Sequence, residues 1–516
     1  MLKEPARAQN GLREDEDPMA APLILALDQG TTSTRAILFE ADGAPLAEAG
    51  RPLRQHYPRD GWVEHDAEEI FEASVAVLRE AVERAGRDLG EVRAIGITNQ
   101  RETAVIWDRR TGKPIHRAIV WQDRRTEPLC QSLREAGREP RVTEVTGLLL
   151  DPYFSGTKFA WLLDNVAGAR SAAEAGHLLA GTIDAWLVWK LTGGRLHATD
   201  ATNASRTLLY DIGRGEWSAE MGEMLGVPIG MMPDVLDCNG DFGETEPGLL
   251  GRPIPIRGVA GDQQAALMGQ GCIHPGEMKA TYGTGCFMLV NTGETRAPSR
   301  SRLLTTVAAR VDGRTTYALE GAIFIAGAAI QWLGEGLGVQ GGPQAAEALA
   351  AGARPDHGVV LVPAFTGLGA PWWDAGARGA IFGLTRDAGL AEIAQAAFDA
   401  SALQTRDLIE AMRADAPRAF AGEVEMRIDG GMSKSAWFSQ RLADLTGIQV
   451  CRATYQETTA LGAALFAGVG AGVYRDVAEA AASRPRTEGY RPQLADEPRE
   501  LAYARWLDAV ARVRSS

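Results

Sequence analysis

Two short segments carry the residue types needed to hold a polyanion: Asp28-Gln29-Gly30-Thr31-Thr32-Ser33-Thr34-Arg35 and Thr281-Tyr282-Gly283-Thr284-Gly285. Glycines let a turn bring backbone N–H groups close to an oxyanion, and threonine and serine hydroxyls add further donors. Arg35 offers a charge-assisted contact. An aspartate at a strand end, as Asp28 is expected to be, can hold Mg²⁺ beside phosphates, directly or through water. Each turn alone also reads as an ordinary hairpin. Together with Asp262 and Asp429-Gly430-Gly431 they favour a polyphosphate cradle built without a P-loop lysine.

Other machinery is excluded by what surrounds each candidate. Gly112-Lys113 is followed by Pro114, so it is no Walker A motif and reads as a turn. Asp241-Phe242-Gly243 spells the protein-kinase metal triplet, but no His-Arg-Asp loop accompanies it, and it too reads as a turn. Asn203-Ala204-Ser205 is a glycosylation sequon with no signal peptide ahead of it. The five cysteines are scattered and form no CxxC pair, which suits a reducing compartment and suggests neither a disulfide framework nor a zinc site.

The elements that must position these residues follow from local pattern. Leu23–Leu27 and Arg35–Phe39 predict two strands of a hairpin around the first turn. Asp66 with Glu69 predicts a capping box opening a helix over 66–86, with Phe71, Val75, Leu78 and Val82 on one face. Ala94–Thr98, Thr103–Trp107 and Ile119–Trp121 read as strands, and Gly193-Gly194 stops a helix through Trp186–Leu191. The second half repeats the grammar. Met278–Tyr282 and Cys286–Val290 flank the second turn, a long helix fits 391–414, and Val424–Ile428 runs into Asp429-Gly430-Gly431 before a helical stretch from Ser435 to Leu445. Gly258–Gln264 reads as a small-residue strand end with an Asp-Gln pair, like Asp28-Gln29. This predicts two related α/β halves: a flexible extension over 1–19, then domains at 20–270 and 271–516.

The chain has 516 residues, with Lys plus Arg 53 against Asp plus Glu 67, a net charge of −14. That balance gives no footprint for DNA, RNA or an anionic membrane surface, and no nucleic-acid partner is expected. The longest apolar run, Ala322–Ile330, falls far short of the ~20 residues of a membrane span, so stable membrane insertion is not expected. A soluble cytoplasmic protein is the expectation.

Six ordered blocks carry a resemblance. They are Leu25-Ala26-Leu27-Asp28-Gln29-Gly30-Thr31-Thr32-Ser33, Gly96-Ile97-Thr98-Asn99-Gln100-Arg101-Glu102-Thr103, Asp151-Pro152-Tyr153-Phe154-Ser155-Gly156-Thr157-Lys158, Ala260-Gly261-Asp262-Gln263-Gln264-Ala265-Ala266-Leu267, Tyr282-Gly283-Thr284-Gly285-Cys286-Phe287, and Pro363-Ala364-Phe365-Thr366-Gly367-Leu368-Gly369-Ala370-Pro371. In register from about residue 22 to about residue 505, the chain resembles the FGGY carbohydrate kinases, a branch of the actin/Hsp70/hexokinase ATPase superfamily. The resemblance implies two related actin-like (ribonuclease H-like) α/β domains with an active-site cleft between them. It also implies ATP and Mg²⁺ as cofactors, glycerol as the acceptor, sn-glycerol 3-phosphate as the product, and a homodimer or homotetramer.

Residue by residue, the resemblance implies that Thr31, Thr32, Ser33 and Arg35 meet the nucleotide phosphates and that Asp28 and Asp262 serve the metal. Thr284 would act from the second turn, Gly327 and Gln331 would line the nucleotide side, and Gly431 and Ser435 would lie toward the adenosine. Arg101, Glu102, Tyr153, Asp262 and Gln263 would hydrogen-bond the polyol, with Trp121 and Phe287 against its carbon backbone. Asp262 is the expected general base for in-line transfer to a terminal hydroxyl. Such a set suits a triol, whose hydroxyls each need a donor and an acceptor while its CH groups need apolar faces. Two stretches depart from the family pattern. The chain reads Met432-Ser433-Lys434-Ser435 in a stretch where many members carry asparagine, and residues 246–255 lack the basic loop that binds fructose 1,6-bisphosphate in some of them. A kinase for another polyol or ketose, and a non-catalytic nucleotide-binding regulator, are the rival readings.

Overall fold

The computed structural model describes residues 22–515, so the expected extension over 1–19 lies outside the described residues. The first half is organised by a five-stranded sheet. Its strands are β1 (Leu23–Gln29), β2 (Ser33–Glu40), β3 (Pro45–Pro52), β4 (Val92–Asn99) and β5 (Ile256–Gly261), in the order β5-β4-β1-β2-β3. β1–β2–β3 is an antiparallel meander, whereas β4 and β5 lie parallel to β1 and to each other.

β1 is apolar at nearly every position because both of its faces are covered. Leu23, Leu25 and Leu27 pack toward α1 (Ala67–Ala85), with Ile70 and Leu78. Ile24 and Ala26 pack the other way, against Leu461 and Leu465. The Asp66 carboxylate caps α1 by accepting from the N–H groups of Glu68 and Glu69, at 2.9 and 3.4 Å. The expected box is not closed by a reciprocal Glu69 bond, so the cap is a simple aspartate cap. Two of the expected strands are shorter than their sequence pattern. One starts at Val105 rather than Thr103, and the other stops at Ile119, leaving Trp121 in a turn where it can face a cavity.

α2 (Asp262–Gly269) follows β5 directly, and this corrects one expectation. Asp28 lies within strand β1, but Asp262 is the first residue of a helix, so the two Asp-Gln pairs occupy different local structures. A helix N-terminus favours a carboxylate.

The second half repeats the plan in a seven-stranded sheet of β6 (Met278–Tyr282), β7 (Cys286–Gly293), β8 (Leu304–Val311), β9 (Arg314–Ile323), β10 (Glu425–Asp429), β11 (Gln449–Ala453) and β12 (Thr487–Tyr490), ordered β8-β9-β7-β6-β10-β11-β12. β6, β7 and β9 form the antiparallel meander, and β10 and β11 run parallel to β6. The duplication predicted from the grammar of the two halves is therefore present in sheet order and strand direction alike. On this sheet lie α3 (Gly327–Glu335), the 26-residue α4 (Leu390–Asp415) and α5 (Ala436–Thr446), sharing one core with Trp506 of the C-terminal helix.

One helix from late in the chain serves the first sheet. α6 (Thr458–Gly470) lies across β1, β4 and β5 and crosses α2 at contact distance. The crossing depends on glycine: a Cβ on Gly462 would stand 1.7 Å from the Ala265 carbonyl oxygen.

Candidate active site

Both phosphate-type turns close at the ends of central hairpins. In the first, Gly30 N–H donates to the Ser33 carbonyl at 2.9 Å, and Thr32 is exposed while Thr31, Ser33 and Arg35 are half-buried. Arg35 forms an ion pair with Glu457 from the second half, so its guanidinium is held at the mouth rather than swinging in solvent. In the second turn, Gly283 N–H donates to the Gly285 carbonyl at 2.9 Å. The turn is then seated on α3, whose first N–H groups reach back to it. Ala326 and Ala328 donate to the Thr284 carbonyl at 2.9 and 3.0 Å, and Gly327 to the Gly283 carbonyl at 3.1 Å.

Beside this second turn lies a cavity of about 450 Å³. Its lining includes Thr284, Gly327, Gln331, Gly431 and Ser435, the second-half members of the expected nucleotide-binding set, together with Ile330, Met432 and Lys434, while Thr31, Thr32, Ser33 and Arg35 lie outside it. Gly430 opens this wall with φ +88, and a Cβ there would meet the Tyr282 carbonyl oxygen at 2.4 Å. Only glycine fits such a position. Ser435 also caps α5: its Oγ accepts from Phe438 N–H at 2.8 Å, leaving its O–H and a second lone pair for the cavity.

The expected polyol residues converge on the first residue of α2. Arg101 Nε lies 3.1 Å from Asp262 Oδ1, and Arg101 Nη2 donates to Tyr153 Oη at 3.3 Å. Asp262 Oδ1 also accepts from Gln263 N–H at 2.7 Å. Three rings wall this space, with the Trp121 centroid 5.6 Å from Tyr153 and 6.4 Å from Phe287, both edge-on. Trp121 and Tyr153 come from the first half and Phe287 from β7 of the second, so the pocket straddles the two sheets. Arg101 and Glu102 are both buried, with side chains 2% exposed, which rules out an ordinary surface ion pair. Glu102 takes φ +60, a left-handed conformation rare for a non-glycine residue. Strain of this kind clusters at functional sites.

Several residues that sequence reasoning passed over hold this arrangement. The buried Lys158 ammonium donates to the carbonyls of Tyr153, Phe154 and Glu102, at 2.5, 3.2 and 3.4 Å. Burial lowers its pKa to about 8. Lys279, on β6, bonds the Gln263 side chain and donates to Thr281 Oγ1 at 3.0 Å. Glu320 and Arg206 complete an ion-pair set with Arg101 and Glu102. Glu320 left a readable signal: a lone acid inside the strand run Tyr317-Ala318-Leu319-Glu320-Gly321-Ala322-Ile323 must be paired if it is buried. Arg206 left none.

Two carboxyls at the cleft are held above the usual carboxylate range. Burial, and then the charge of Asp262, push Asp28 up to about 7, with Arg35 pulling the other way. Asp262 keeps a third of its side chain open to the cleft, yet burial still raises its pKa against the opposing pull of Arg101 and Lys279. Two buried carboxyls, one raised by the charge of the other, beside two hydroxyl-rich turns form a donor set fit for a hard divalent cation. Among the described residues no cluster of three or more His, Cys, Asp or Glu forms a metal cage. A cation at Asp28 and Asp262 would therefore complete its shell with water and phosphate oxygens, which is the usual habit of Mg²⁺.

Two duplicated ATPase-type halves, each presenting a glycine-threonine hairpin to a shared cleft, define a phosphotransferase of the actin-like class. Comparison with known proteins gives the family. Residues 23–269 match the N-terminal domain, and residues 278–471 the C-terminal domain, of the FGGY family of carbohydrate kinases. The chain belongs to that family. It is 56% identical over 489 residues to a glycerol kinase of Chelativorans sp. (strain BNC1), covering 95% of this chain and 98% of the relative. It is 55% identical over 493 residues to a glycerol kinase of Alcanivorax borkumensis, again over 95% and 98%. Among solved structures, Plasmodium falciparum glycerol kinase with ADP superposes with a TM-score of 0.90 at 32% identity, over 96% of this chain and 99% of that one. The xylulose kinase of Rhodospirillum rubrum shares the fold, with a TM-score of 0.84 at 24% identity. No helix among the described residues is long and apolar enough to cross a membrane.

Proposed function

We propose that the protein transfers the γ-phosphoryl group of ATP to a terminal hydroxyl of glycerol, giving sn-glycerol 3-phosphate. The observation that carries this reading is convergence: Arg101 and Gln263 contact Asp262, Tyr153 bonds Arg101, Trp121 packs between Tyr153 and Phe287 and bonds Thr31 of the first phosphate turn, and the charge of Asp262 acts on Asp28. Relatives 52–56% identical over 95% of the chain, all glycerol kinases, support the choice of acceptor.

In this reading Arg101, Glu102, Tyr153 and Gln263 read the three hydroxyls, and Trp121 and Phe287 cover the carbon backbone. Asp262 Oδ1 is occupied by Arg101 and by the Gln263 N–H. Oδ2 accepts no hydrogen bond among the described residues and is the oxygen that takes the proton of the attacking hydroxyl. Thr31, Thr32, Ser33 and Arg35 hold the phosphates from one side and Thr284 from the other. Gly327, Gln331, Gly431 and Ser435 hold the nucleoside end. Asp28 and Asp262 would hold Mg²⁺, which would supply charge neutralisation at the transferred group. The deciding experiment is ADP release with Mg·ATP over a panel of polyols and ketoses. Glycerol-dependent release is the expected result, and release with a sugar alone overturns the proposal.

A further inference from the structure

At the floor of the pocket four charged side chains alternate in a closed ring. Arg101 Nη1 lies 2.6 Å from Glu320 Oε2, and Arg206 Nη2 lies 2.8 Å from Glu320 Oε1. Arg206 Nε lies 2.6 Å from Glu102 Oε1, and Arg101 Nε closes the ring 3.7 Å from the same oxygen. No side chain in the ring is more than 2% exposed. The ring is neutral, and Arg206 rests on the faces of Tyr153 and Phe154, with its carbon 5.6 and 5.3 Å from their centroids.

Burying four charges is poor stabilisation, because desolvation consumes most of the Coulombic gain and an apolar quartet of the same volume would serve as well. What an ionic ring gives instead is direction. An Arg guanidinium donates from a rigid planar fork, so fixing one edge fixes the others. Glu320 engages Nη1, which leaves the Nε and Nη2 edges of Arg101 aimed at Asp262 and Tyr153. Arg206 likewise holds one oxygen of Glu102, a residue already in a strained backbone conformation.

The ring also joins the halves. Glu320 lies on β9, opposite Leu289 of β7, and its neighbour two along, Ala322, lies opposite Phe287. Residues paired across a ladder share a face, so Glu320 and Phe287 project from the same side of the second sheet. Arg101, Glu102 and Arg206 all belong to the first half.

We propose that Glu320 and Arg206 are positioning residues of the polyol pocket, a buried ionic tie between the two halves that aims Arg101 and Glu102 at the acceptor hydroxyls. This rests on the reading of the cleft given above. Neither residue lines the nucleotide cavity, so the tie acts on one substrate only.

The test uses the full chain with Glu320→Gln, Glu320→Asp and Arg206→Lys. It records KM for acceptor and for ATP separately, acceptor binding without nucleotide by tryptophan fluorescence, and thermal unfolding. The expected result is an acceptor KM raised roughly tenfold or more in Glu320→Gln and Arg206→Lys, the scale of a misdirected charged hydrogen bond. ATP KM should stay within about threefold, and Glu320→Asp should recover part of the loss. If Glu320→Gln does not fold, Arg206→Lys, which keeps the charge and loses the fork, carries the same readouts. An unchanged acceptor KM, or equal losses for both substrates that follow the melting temperature, overturns the proposal in favour of a scaffold role. The ratios are taken with whichever acceptor the wild type phosphorylates. A wild type active only on another polyol therefore overturns the glycerol reading while the tie is still judged, and a wild type inactive on all acceptors sinks both.

Discussion

Trp121 Nε1 donates a 2.8 Å hydrogen bond to Thr31 Oγ1. In the proposed reading one residue walls the polyol pocket and the other sits in the first phosphate turn, so a single bond would join the two substrate sites. Its partners are held from behind: Trp121 N–H donates to Thr103 Oγ1 at 3.3 Å, and Thr103 Oγ1 donates to Gln100 Oε1 at 2.9 Å. Gln100 in turn donates to the Gly30 carbonyl at 3.1 Å.

Trp121→Phe keeps the apolar wall and removes the donor. A neutral hydrogen bond is worth about 1 kcal/mol net, so KM should rise about fivefold for glycerol and for Mg·ATP together. Thr31→Val should do the same from the other side. Because both variants delete one bond, their effects should not add. A double-mutant cycle in two-substrate kinetics measures the coupling, and simple additivity would show that the bond carries none.

Asp262→Asn should lower kcat by about 10²–10⁴, the usual worth of a positioned general base, with the fold intact by circular dichroism. Asp28→Asn should act differently, raising the Mg²⁺ concentration needed for half-maximal rate. Chelation of Mg²⁺ should abolish turnover of the wild type. Near-normal kcat in Asp262→Asn would remove that residue from the base role.

Where the signal is local, the sequence is readable. Asp66 ahead of an apolar stripe marks α1, and the glycine-threonine turns between alternating runs mark both hairpins. Arg101 and Tyr153 enter through the resemblance of the blocks that contain them, since neither residue carries a local signal of its own. What stays hidden depends on contacts between distant segments. Arg206 meets Glu320 across 114 positions, and nothing around Arg206 hints at a partner. α6, with three glycines in thirteen residues, carries a weak local helix signal, and only its contacts, such as the glycine-sized gap at Gly462 against Ala265, place it under the first sheet. Asp262 misled because a small-residue strand runs straight into a helix, and the change of structure falls between Gly261 and Asp262 with no punctuating turn.

His197 gives a pH dependence whose sign can be worked out. Burial lowers its pKa from 6.5 to about 4, and the ring lies 2.9 Å from the Ala180 carbonyl and edge-on to Trp107 at 5.2 Å. The folded state thus binds this proton less readily than the unfolded chain. The stability contributed is present above pH 6.5 and is lost as pH falls toward 4. By pH 5 the loss should reach about 2 kcal/mol. His197→Gln retains an N–H donor and does not titrate. Urea unfolding at pH 7.5 and pH 5 should show the wild type losing more stability than the variant, and parallel losses would assign the dependence elsewhere.

Gly462→Ala tests whether the helix crossing beneath the first sheet sets the position of Asp262, the proposed base. The added Cβ would stand 1.7 Å from the Ala265 carbonyl oxygen, a backbone atom of α2 that no rotamer can move. α2 begins at Asp262, so relief of the clash by displacing the helix must also move the carboxylate relative to Arg101. Overpacking of this kind costs about 1–3 kcal/mol or more. A shift of about 1 Å at a reacting group can lower the rate a hundredfold. Both effects should appear together: a lower melting temperature, and a kcat reduced well beyond what the folded fraction explains. Gly230→Ala is the matched control, since a Cβ there meets nothing within 4 Å, and it should leave both quantities unchanged. A Gly462→Ala protein that is destabilised but turns over normally per folded molecule would show that α2 is held by β5 rather than by α6.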